Sequence, residues 1–303
     1  MSLISKYCTY MRQAIVNMLN VNDTVPEAVH YRQRHDYLTH LAMHSDVAGT
    51  TSEKLVADGE VIVSLTTHGQ RLYDVYLAIE SVMQGTVLPN RILLWLPEEL
   101  RETVLPIYLQ RQVKRGLEIV YCPDQRSYTK LLPSLLHYPD ANIVTIDDDI
   151  LYPADMLEHL VEMHRQHPTD ICCNVLHPLP SPISSKTRHL MRGLPFVESY
   201  GEAMSRYFFE GYAGILYPSH CFSDEVFNDG VYQQICPTAD DIWFSAMAMI
   251  NGVTARCAYP HLGQYKAMTI PHVQDVGLQN INTYGPEMND VQLRAVFEHY
   301  GLK

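Results

Sequence analysis

Short apolar runs alternate with helical segments about four times between residues 60 and 150, and this alternation constrains the fold more than any other feature. The runs are VIVSL, RILLWLP, LEIVYC and NIVTI, and each is nearly continuous in apolar residues. Such runs are typical of strands that are covered on both faces of a sheet. The pattern therefore predicts an α/β fold with a doubly wound, mainly parallel sheet, flanked by helices and joined by right-handed crossovers.

The predicted sheet begins near residue 59, which divides the chain into two parts. Residues 1–58 are predicted to form an N-terminal helical extension, for which membrane contact, oligomer contact and a brace on the sheet are all open roles. Residues 59–303 are expected to form a single domain, with 59–153 as its first half and 154–303 as its second half. The second half is richer in Pro and Gly and contains one clear helical segment, ADDIWFSAMAMINGV. The sequence predicts no oligomeric state.

Charge and cysteine content argue against several classes of protein. The formal net charge of −12 argues against a nucleic-acid binder. The seven cysteines include no CxxC pair, which argues against a zinc cage or a disulfide framework and favours a reducing compartment. No apolar run reaches about eighteen residues, so no spanning helix is expected. A cytoplasmic location is therefore predicted, either free or in peripheral contact with the inner face of the membrane.

Three adjacent aspartates, Asp147, Asp148 and Asp149, follow the fourth apolar run. The carboxyl end of a strand is where open α/β sheets bind ligands. Adjacent carboxylates repel one another, and Mg²⁺ or Mn²⁺ would compensate them, since both cations favour carboxylate oxygens. The alternative is an acidic turn in solvent. The first apolar run is followed by TTHGQR, with a single glycine, so neither a dinucleotide fingerprint nor a P-loop is present. A metal on the aspartates would then be the means of binding phosphate.

A second acidic pair, Asp240 and Asp241, opens the helical segment in the second half of the chain. Asp240 is a natural N-cap, and Asp241 would lie in the first turn, where the helix dipole favours a carboxylate. Capping explains one of these residues. It does not require two.

The order VIVSLTTHGQR, RILLWLPEEL, GLEIVYC, SYTKLLPSL and IVTIDDDILYP resembles GT-A glycosyltransferases, and most of all the family-2-like bacterial enzymes that build capsule and lipopolysaccharide chains. The resemblance is good over residues 60–160 and patchier beyond. In that fold a DXD motif at the end of a central strand holds a metal on the diphosphate of a nucleotide sugar. The resemblance thus implies Mn²⁺ or Mg²⁺, a nucleotide-sugar donor with a UDP-sugar favoured, and a glycan or lipid-linked glycan acceptor.

The same resemblance implies a metal site. Asp147 and Asp149 match the two DXD carboxylates, with Asp149 a direct metal ligand and Asp147 facing the ribose or the metal. Asp148 would lie between them and face the sugar. His272, in TIPHVQD, matches a late histidine that can ligate the metal or the diphosphate, with His261 as its competitor and an ordinary loop histidine as the alternative.

Further positions match donor-binding residues of that family. Their simpler explanations are a helix cap for the threonines, a solvated charge for the lysine and a strand bend for the glycine. The matched positions are Thr66, Thr67 and Arg71 for the nucleoside, Asp124 for the base, Lys130 for the nucleotide or its phosphates, and Gly214, with Gly211, for the donor sugar.

The resemblance also implies a reaction. In inverting GT-A enzymes an acidic pair at the start of such a helix supplies the base that takes the proton of the acceptor hydroxyl. Asp241 is favoured for this role over Asp240, because capping competes for Asp240. The leading hypothesis is a metal-dependent, inverting glycosyltransferase of surface polysaccharide synthesis. The alternatives are a nucleotidyltransferase acting on sugar phosphates, a non-catalytic partner in a polysaccharide-synthesis assembly, and a glycosidase, whose two carboxylates must flank one bond.

Overall fold

The structure is a computed structural model, and it describes residues 28–183, 190–259, 265–271, 273, 282 and 288–302. The chain divides into two compact units, residues 1–45 and 46–303. The described part of the first unit is a helix, α1, over residues 28–44.

The division lies earlier than residue 58, because residues 46–58 form hydrogen bonds within the second unit. The Gly49 amide donates to the Arg115 carbonyl (2.8 Å), and the Asn90 side-chain amide donates to the Thr51 carbonyl (3.1 Å). This segment, assigned to the helical extension by the sequence, is irregular chain along the sheet domain.

The second unit is built on an eight-stranded mixed sheet with the order β3-β2-β1-β4-β10-β6-β11-β8. The first four strands in this order are parallel to one another, as the sequence predicts, and the α/β fold class is confirmed. Two antiparallel pairs, β5 with β12 and β7 with β9, complete the described strands. The strands are β1 (Val61–Thr66), β2 (Arg91–Pro97), β3 (Leu117–Cys122), β4 (Asn142–Thr145), β5 (Ile150–Leu151), β6 (Ile171–Cys173), β7 (Leu176–Pro178), β8 (Ala203–Met204), β9 (Tyr207–Phe209), β10 (Ile215–Tyr217), β11 (Ala255–Cys257) and β12 (Met268–Thr269).

The helices of the second unit are shorter than the sequence pattern predicts. The sequence pattern of residues 98–115 predicts one continuous helix that ends at Gly116. In the structure the α-helix begins only at Ile107, after Pro106, because the residue before a proline is disfavoured in helical geometry. Among the described residues, no helix is long and apolar enough to cross a membrane. The helices are α2 (Val75–Met83), α3 (Ile107–Val113), α4 (Leu132–His137), α5 (Met156–Gln166), α6 (Asp229–Ile235), α7 (Asp240–Ile250) and α8 (Met288–Tyr300).

Strand β10 runs against its neighbours, and this reversal positions the site. Ile215, its first residue, lies beside both Thr145, the last residue of β4, and Cys173, the last residue of β6. The segment just before β10 therefore meets the carboxyl ends of β4 and β6 at one edge of the sheet. Gly214 makes the turn into β10 with φ +91°, a backbone conformation that favours glycine.

Candidate active site

One lysine joins the two acidic groups that the sequence singles out. Lys130 Nζ lies 2.9 Å from Asp147 Oδ1, 3.1 Å from Asp240 Oδ2 and 3.8 Å from Asp241 Oδ1. These four residues, the lysine cluster, come from the short helix after β3, the end of β4 and the first turn of α7. The Lys130 side chain is only 7% exposed, so it is not the solvated helix charge of the simpler explanation.

The charge state of Lys130 follows from its carboxylate partners. Burial alone would lower the pKa of the Lys130 ammonium, but Asp147, Asp240 and Asp241 together hold it well above its usual value. The lysine is therefore a fixed positive charge within the cluster.

Asp241 is held by the backbone of the segment that leads into β10. Its Oδ2 accepts a hydrogen bond from the Gly211 amide (2.8 Å), whereas its Oδ1 is buried with no hydrogen-bond partner among the described residues. Burial raises the pKa of Asp241 to about 8, and the neighbouring Asp240 and Asp147 carboxylates act in the same direction, against Lys130.

The N-cap role predicted for Asp240 is wrong. The N-cap of α7 is Ala239, so Asp240 and Asp241 both lie in the first turn, and neither side chain caps the helix. The helix begins one residue earlier than that role requires, and the Asp240 carboxylate forms an ion pair with Lys130 (3.1 Å).

Arg71 forms a second group, the arginine clamp, around the remaining two aspartates. Its guanidinium donates to Asp148 Oδ1 (2.7 Å) and to the Val273 carbonyl (3.0 Å), and it lies 3.1 Å from Asp149 Oδ2. The Thr67 hydroxyl donates to the other Asp148 oxygen (2.6 Å). Burial raises the pKa of Asp148, against the opposing effect of Arg71 and Thr67. Asp148, expected to face the sugar, is thus a buried partner of Arg71 in this structure.

The remaining predicted residues form no contact described above with the lysine cluster or the arginine clamp. The Thr66 hydroxyl donates to the Trp95 carbonyl (3.0 Å). The N-cap of the short helix that follows is His68, so neither Thr66 nor Thr67 has the capping role. Asp124 is exposed and accepts a hydrogen bond from the Arg126 amide (2.7 Å). His272 and its competitor His261 lie outside the described residues.

The glycine segment before β10 borders the lysine cluster directly. A methyl group on Gly211 would come within 2.5 Å of Asp241 Oδ1 and 2.9 Å of Lys130 Nζ. The same addition at Gly214 would meet the Met156 sulfur at 2.9 Å. Gly211 therefore leaves room for the Lys130 and Asp241 side chains, and Gly214 makes the turn into β10.

Two residues that support this edge were not found from the sequence. The Tyr152 hydroxyl accepts a hydrogen bond from the Asp147 amide (2.8 Å), and the Asn174 side-chain amide donates to the Ala213 carbonyl (2.9 Å). The only signal in the sequence for the contact between Tyr152 and Asp147 is that Tyr152 follows the aspartates closely, in DDDILYP.

The donor atoms at this edge suit a hard divalent cation. The two clusters hold five carboxylates, those of Asp147, Asp148, Asp149, Asp240 and Asp241, against the two basic side chains Arg71 and Lys130. This leaves an excess of negative charge that a cation would reduce. Among the described residues, no group of three or more His, Cys, Asp or Glu side chains is arranged to hold a metal. Because Mg²⁺ is commonly held by one or two carboxylates together with substrate phosphates, Asp147 and Asp149 fit as a partial ligand set.

No protein-family model and no curated protein sequence matches the chain. Solved structures with similarity include S. aureus TarS 1–349, at 11% identity and a TM-score of 0.42 over 67% of this chain and 59% of that chain. The inositol-1-phosphate CTP transferase from T. maritima has 11% identity and a TM-score of 0.41, over 80% of this chain and 98% of that chain.

A third such structure is the mannosyltransferase PcManGT from Pyrobaculum calidifontis in complex with GDP-Man and Mn²⁺, at 15% identity and a TM-score of 0.30. The match covers 52% of this chain and 45% of PcManGT. The chain spans about three fifths of the TarS 1–349 structure. At these identities and TM-scores, the similarities assign neither a family nor an activity to the chain.

Proposed function

We propose that the chain is a metal-dependent glycosyltransferase. It would move a sugar from a nucleotide-diphosphate donor, with a UDP-sugar favoured, to a hydroxyl of a glycan or lipid-linked glycan. The reaction would belong to bacterial surface polysaccharide synthesis. The observation that carries the proposal is the lysine cluster, in which Lys130 contacts both the DXD residue Asp147 and the acidic pair of α7. The residues that would stabilise the leaving group and the residue that would accept the proton then lie at the same edge of the sheet.

The donor half of the proposed site consists of Asp147 and Asp149, which would hold Mn²⁺ or Mg²⁺. When bound, the metal would stabilise the charge of the leaving diphosphate. Lys130 supplies a positive charge fixed next to Asp147, at no cost of reorganisation during the reaction. Arg71 keeps Asp149 at the edge of the sheet by pairing with it and with its neighbour Asp148.

The base half of the proposed site is Asp241. The Gly211 amide fixes the orientation of its carboxylate, and the pKa of about 8 means that its ionised form is a stronger base than an ordinary aspartate. A base at one end and a metal-bound leaving group at the other suit a single displacement, which inverts the anomeric carbon. Asp240 pairs with Lys130 at 3.1 Å and supports the cluster.

The test uses purified full-length chain with a panel of nucleotide sugars, with and without Mn²⁺. Release of the nucleoside diphosphate is expected only with the metal. Asp149→Ala should abolish metal-dependent nucleotide binding. Asp241→Asn should keep nucleotide binding and lower turnover by about 10²–10⁴-fold, the usual range for loss of a general base. Asp229→Asn, an exposed first-turn aspartate of α6, is the matched control and should behave as wild type.

The outcomes separate the alternatives. Release of pyrophosphate from a nucleoside triphosphate, with no turnover of nucleotide sugars, would identify a nucleotidyltransferase. Absence of both nucleotide binding and metal-dependent turnover would contradict the proposal. Full turnover by Asp241→Asn would show that another group is the base.

A further inference from the structure

A two-stranded ribbon, β7 with β9, stands on the same edge of the sheet as the lysine cluster. The chain enters the ribbon directly after β6 and leaves it at Glu210, just before Gly211. The base of the ribbon is closed by a hydrogen bond from the Glu210 amide to the Val175 carbonyl (3.3 Å). The ribbon thus carries Glu210 to a position next to the residue whose amide holds Asp241.

A buried histidine on β7 fixes the Glu210 side chain. His177 is 2% exposed, its Nδ1 lies 3.0 Å from the Pro195 carbonyl oxygen, and its Nε2 lies 2.9 Å from Glu210 Oε1. A carbonyl oxygen only accepts, so Nδ1 carries a hydrogen, and the hydrogen bond to Glu210 needs a second hydrogen between Nε2 and Oε1. The Glu210 side chain is nevertheless 33% exposed, so the fixed carboxylate remains open to a ligand.

An exposed aromatic ring lies against the same histidine. The Phe196 ring centroid is 4.5 Å from that of His177, and Phe196 is 47% exposed. Its segment is held along β7 by a hydrogen bond from the Val197 amide to the Leu176 carbonyl (2.8 Å). The ring therefore presents an outward apolar face whose position is fixed by its neighbours.

We propose that Phe196 and Glu210 form a subsite that binds one pyranose ring of the acceptor glycan, with His177 as the residue that positions the Glu210 carboxylate. An aromatic face packs against the apolar C–H face of a sugar, and a fixed carboxylate accepts hydrogen bonds from its hydroxyls. Glu210 directly precedes Gly211, whose amide holds the Asp241 carboxylate, so the proposed subsite is one residue along the chain from that contact. The role as acceptor subsite rests on the proposed function, whereas glycan binding at these residues does not.

The test measures binding of full-length chain to an array of immobilised oligosaccharides of hexoses and N-acetylhexosamines. The wild type is expected to bind a subset of them. Phe196→Ala and Glu210→Gln should each weaken binding to that subset by about tenfold, given the usual strength of one aromatic contact or one charged hydrogen bond. Tyr37→Ala, which removes an equally exposed aromatic ring from α1, should bind as wild type does.

A double variant tests the positioning role of His177. His177→Gln alone should weaken glycan binding, but it should add little to the loss already caused by Glu210→Gln, since the histidine acts through that carboxylate. Additive losses would show that His177 merely supports the fold. A rise in melting temperature with UDP and Mn²⁺, retained in every variant, would show that each variant keeps its folded donor site.

The failures of the two proposals are distinguishable. If the wild type binds no arrayed oligosaccharide, or if Phe196→Ala and Glu210→Gln bind as wild type, the subsite is overturned whatever the turnover. If glycan binding depends on Phe196 and Glu210 while no nucleotide sugar binds or turns over, the subsite stands as a glycan-binding site and the transferase proposal fails.

Discussion

At the scale of single residues, the folded state favours the protonated form of the Asp241 carboxyl group over its charged form. Its raised pKa means that its contribution to stability is fully present below the unfolded value of about 3.9 and is lost as the pH rises through about 8. We expect Asp241→Asn to stabilise the ligand-free chain, with a difference that grows between about pH 4 and pH 8 and reaches on the order of 1–3 kcal/mol. Urea unfolding of both chains at several pH values measures this difference.

The comparison needs a control for the other groups that titrate in the same range. Asp229→Asn removes an exposed carboxylate from the first turn of another helix, and its unfolding free energy should follow that of the wild type at every pH. A constant difference between Asp241→Asn and wild type across the pH range would contradict the raised pKa.

Lys130 is the basic partner of one buried carboxylate, that of Asp240, and of two half-buried ones, those of Asp147 and Asp241. Lys130→Met should destabilise the chain by about 3–5 kcal/mol, because the Asp240 and Asp147 carboxylates would then have no compensating charge. Chemical denaturation measures the loss, and Lys114→Met, at an exposed position, should change stability by less than about 0.5 kcal/mol. Adding Asp240→Asn to Lys130→Met should recover part of the stability, and failure to do so would show that the ion pair is not the reason.

At the scale of elements, the short turn before β10 has no room for a side chain at Gly211. Gly211→Ala would place a methyl group 2.5 Å from Asp241 Oδ1, so the carboxylate must move and the proposed base loses its geometry. We expect a loss of turnover of about tenfold to a hundredfold, since misplacement of a catalytic group by about 1 Å has effects of that size. Steady-state kinetics with the donor identified by the panel measures it.

Gly230→Ala provides the matched control for this substitution. Gly230 lies in α6, its added methyl group would meet only Asn228 Oδ1 at 3.6 Å, and alanine is the better helix former. Turnover at the wild-type level is expected for this variant. Equal turnover in both variants would mean that Gly211 is not needed for the site.

The elements also show how far the sequence alone could go. The four parallel strands were predictable, though not their order in the sheet, because each is a nearly continuous apolar run like RILLWLP. The helix over residues 98–115 was not, because Pro106 interrupts a favourable pattern. The capping role of Asp240 was predicted from local rules, and it is wrong because α7 begins one residue earlier than that role requires.

The candidate site was predictable in its residues and not in its contacts. Asp147, Asp149, Lys130 and Asp241 were all named from sequence pattern or resemblance. The meeting of Asp147, Lys130 and Asp241 depends on the reversed strand β10 and on the placement of α7. No local signal in SYTK indicates that Lys130 faces three carboxylates. His177 and Phe196 likewise have no sequence signal, because their pairing arises from the ribbon β7–β9.

At the scale of the whole molecule, binding of a ligand to the folded chain alone raises its stability by mass action. A nucleotide at about 100 times its Kd adds about 2.7 kcal/mol, which raises the melting temperature of a chain of this size by several degrees. We expect UDP with Mn²⁺ to produce such a rise, and either component alone to produce much less, because the metal would be shared between Asp147, Asp149 and the diphosphate. A thermal-shift assay measures it, and an equal rise for Asp149→Ala would contradict the metal assignment.

The reversal of β10 also has a consequence for the order in which the chain acquires its site. A chain that has formed only β1 to β4 has its three aspartates in place, but it lacks both α7 and the segment that holds Asp241. Contacts between segments so far apart in sequence form late, because closing long loops costs entropy before those contacts reward it. We expect the Gly211 amide, which donates to Asp241, to become protected from hydrogen exchange during refolding only after the amides of β1 and β2. Earlier protection of Gly211 would contradict this order, whereas late protection would mean that partly folded chains lack the contact that orients the proposed base.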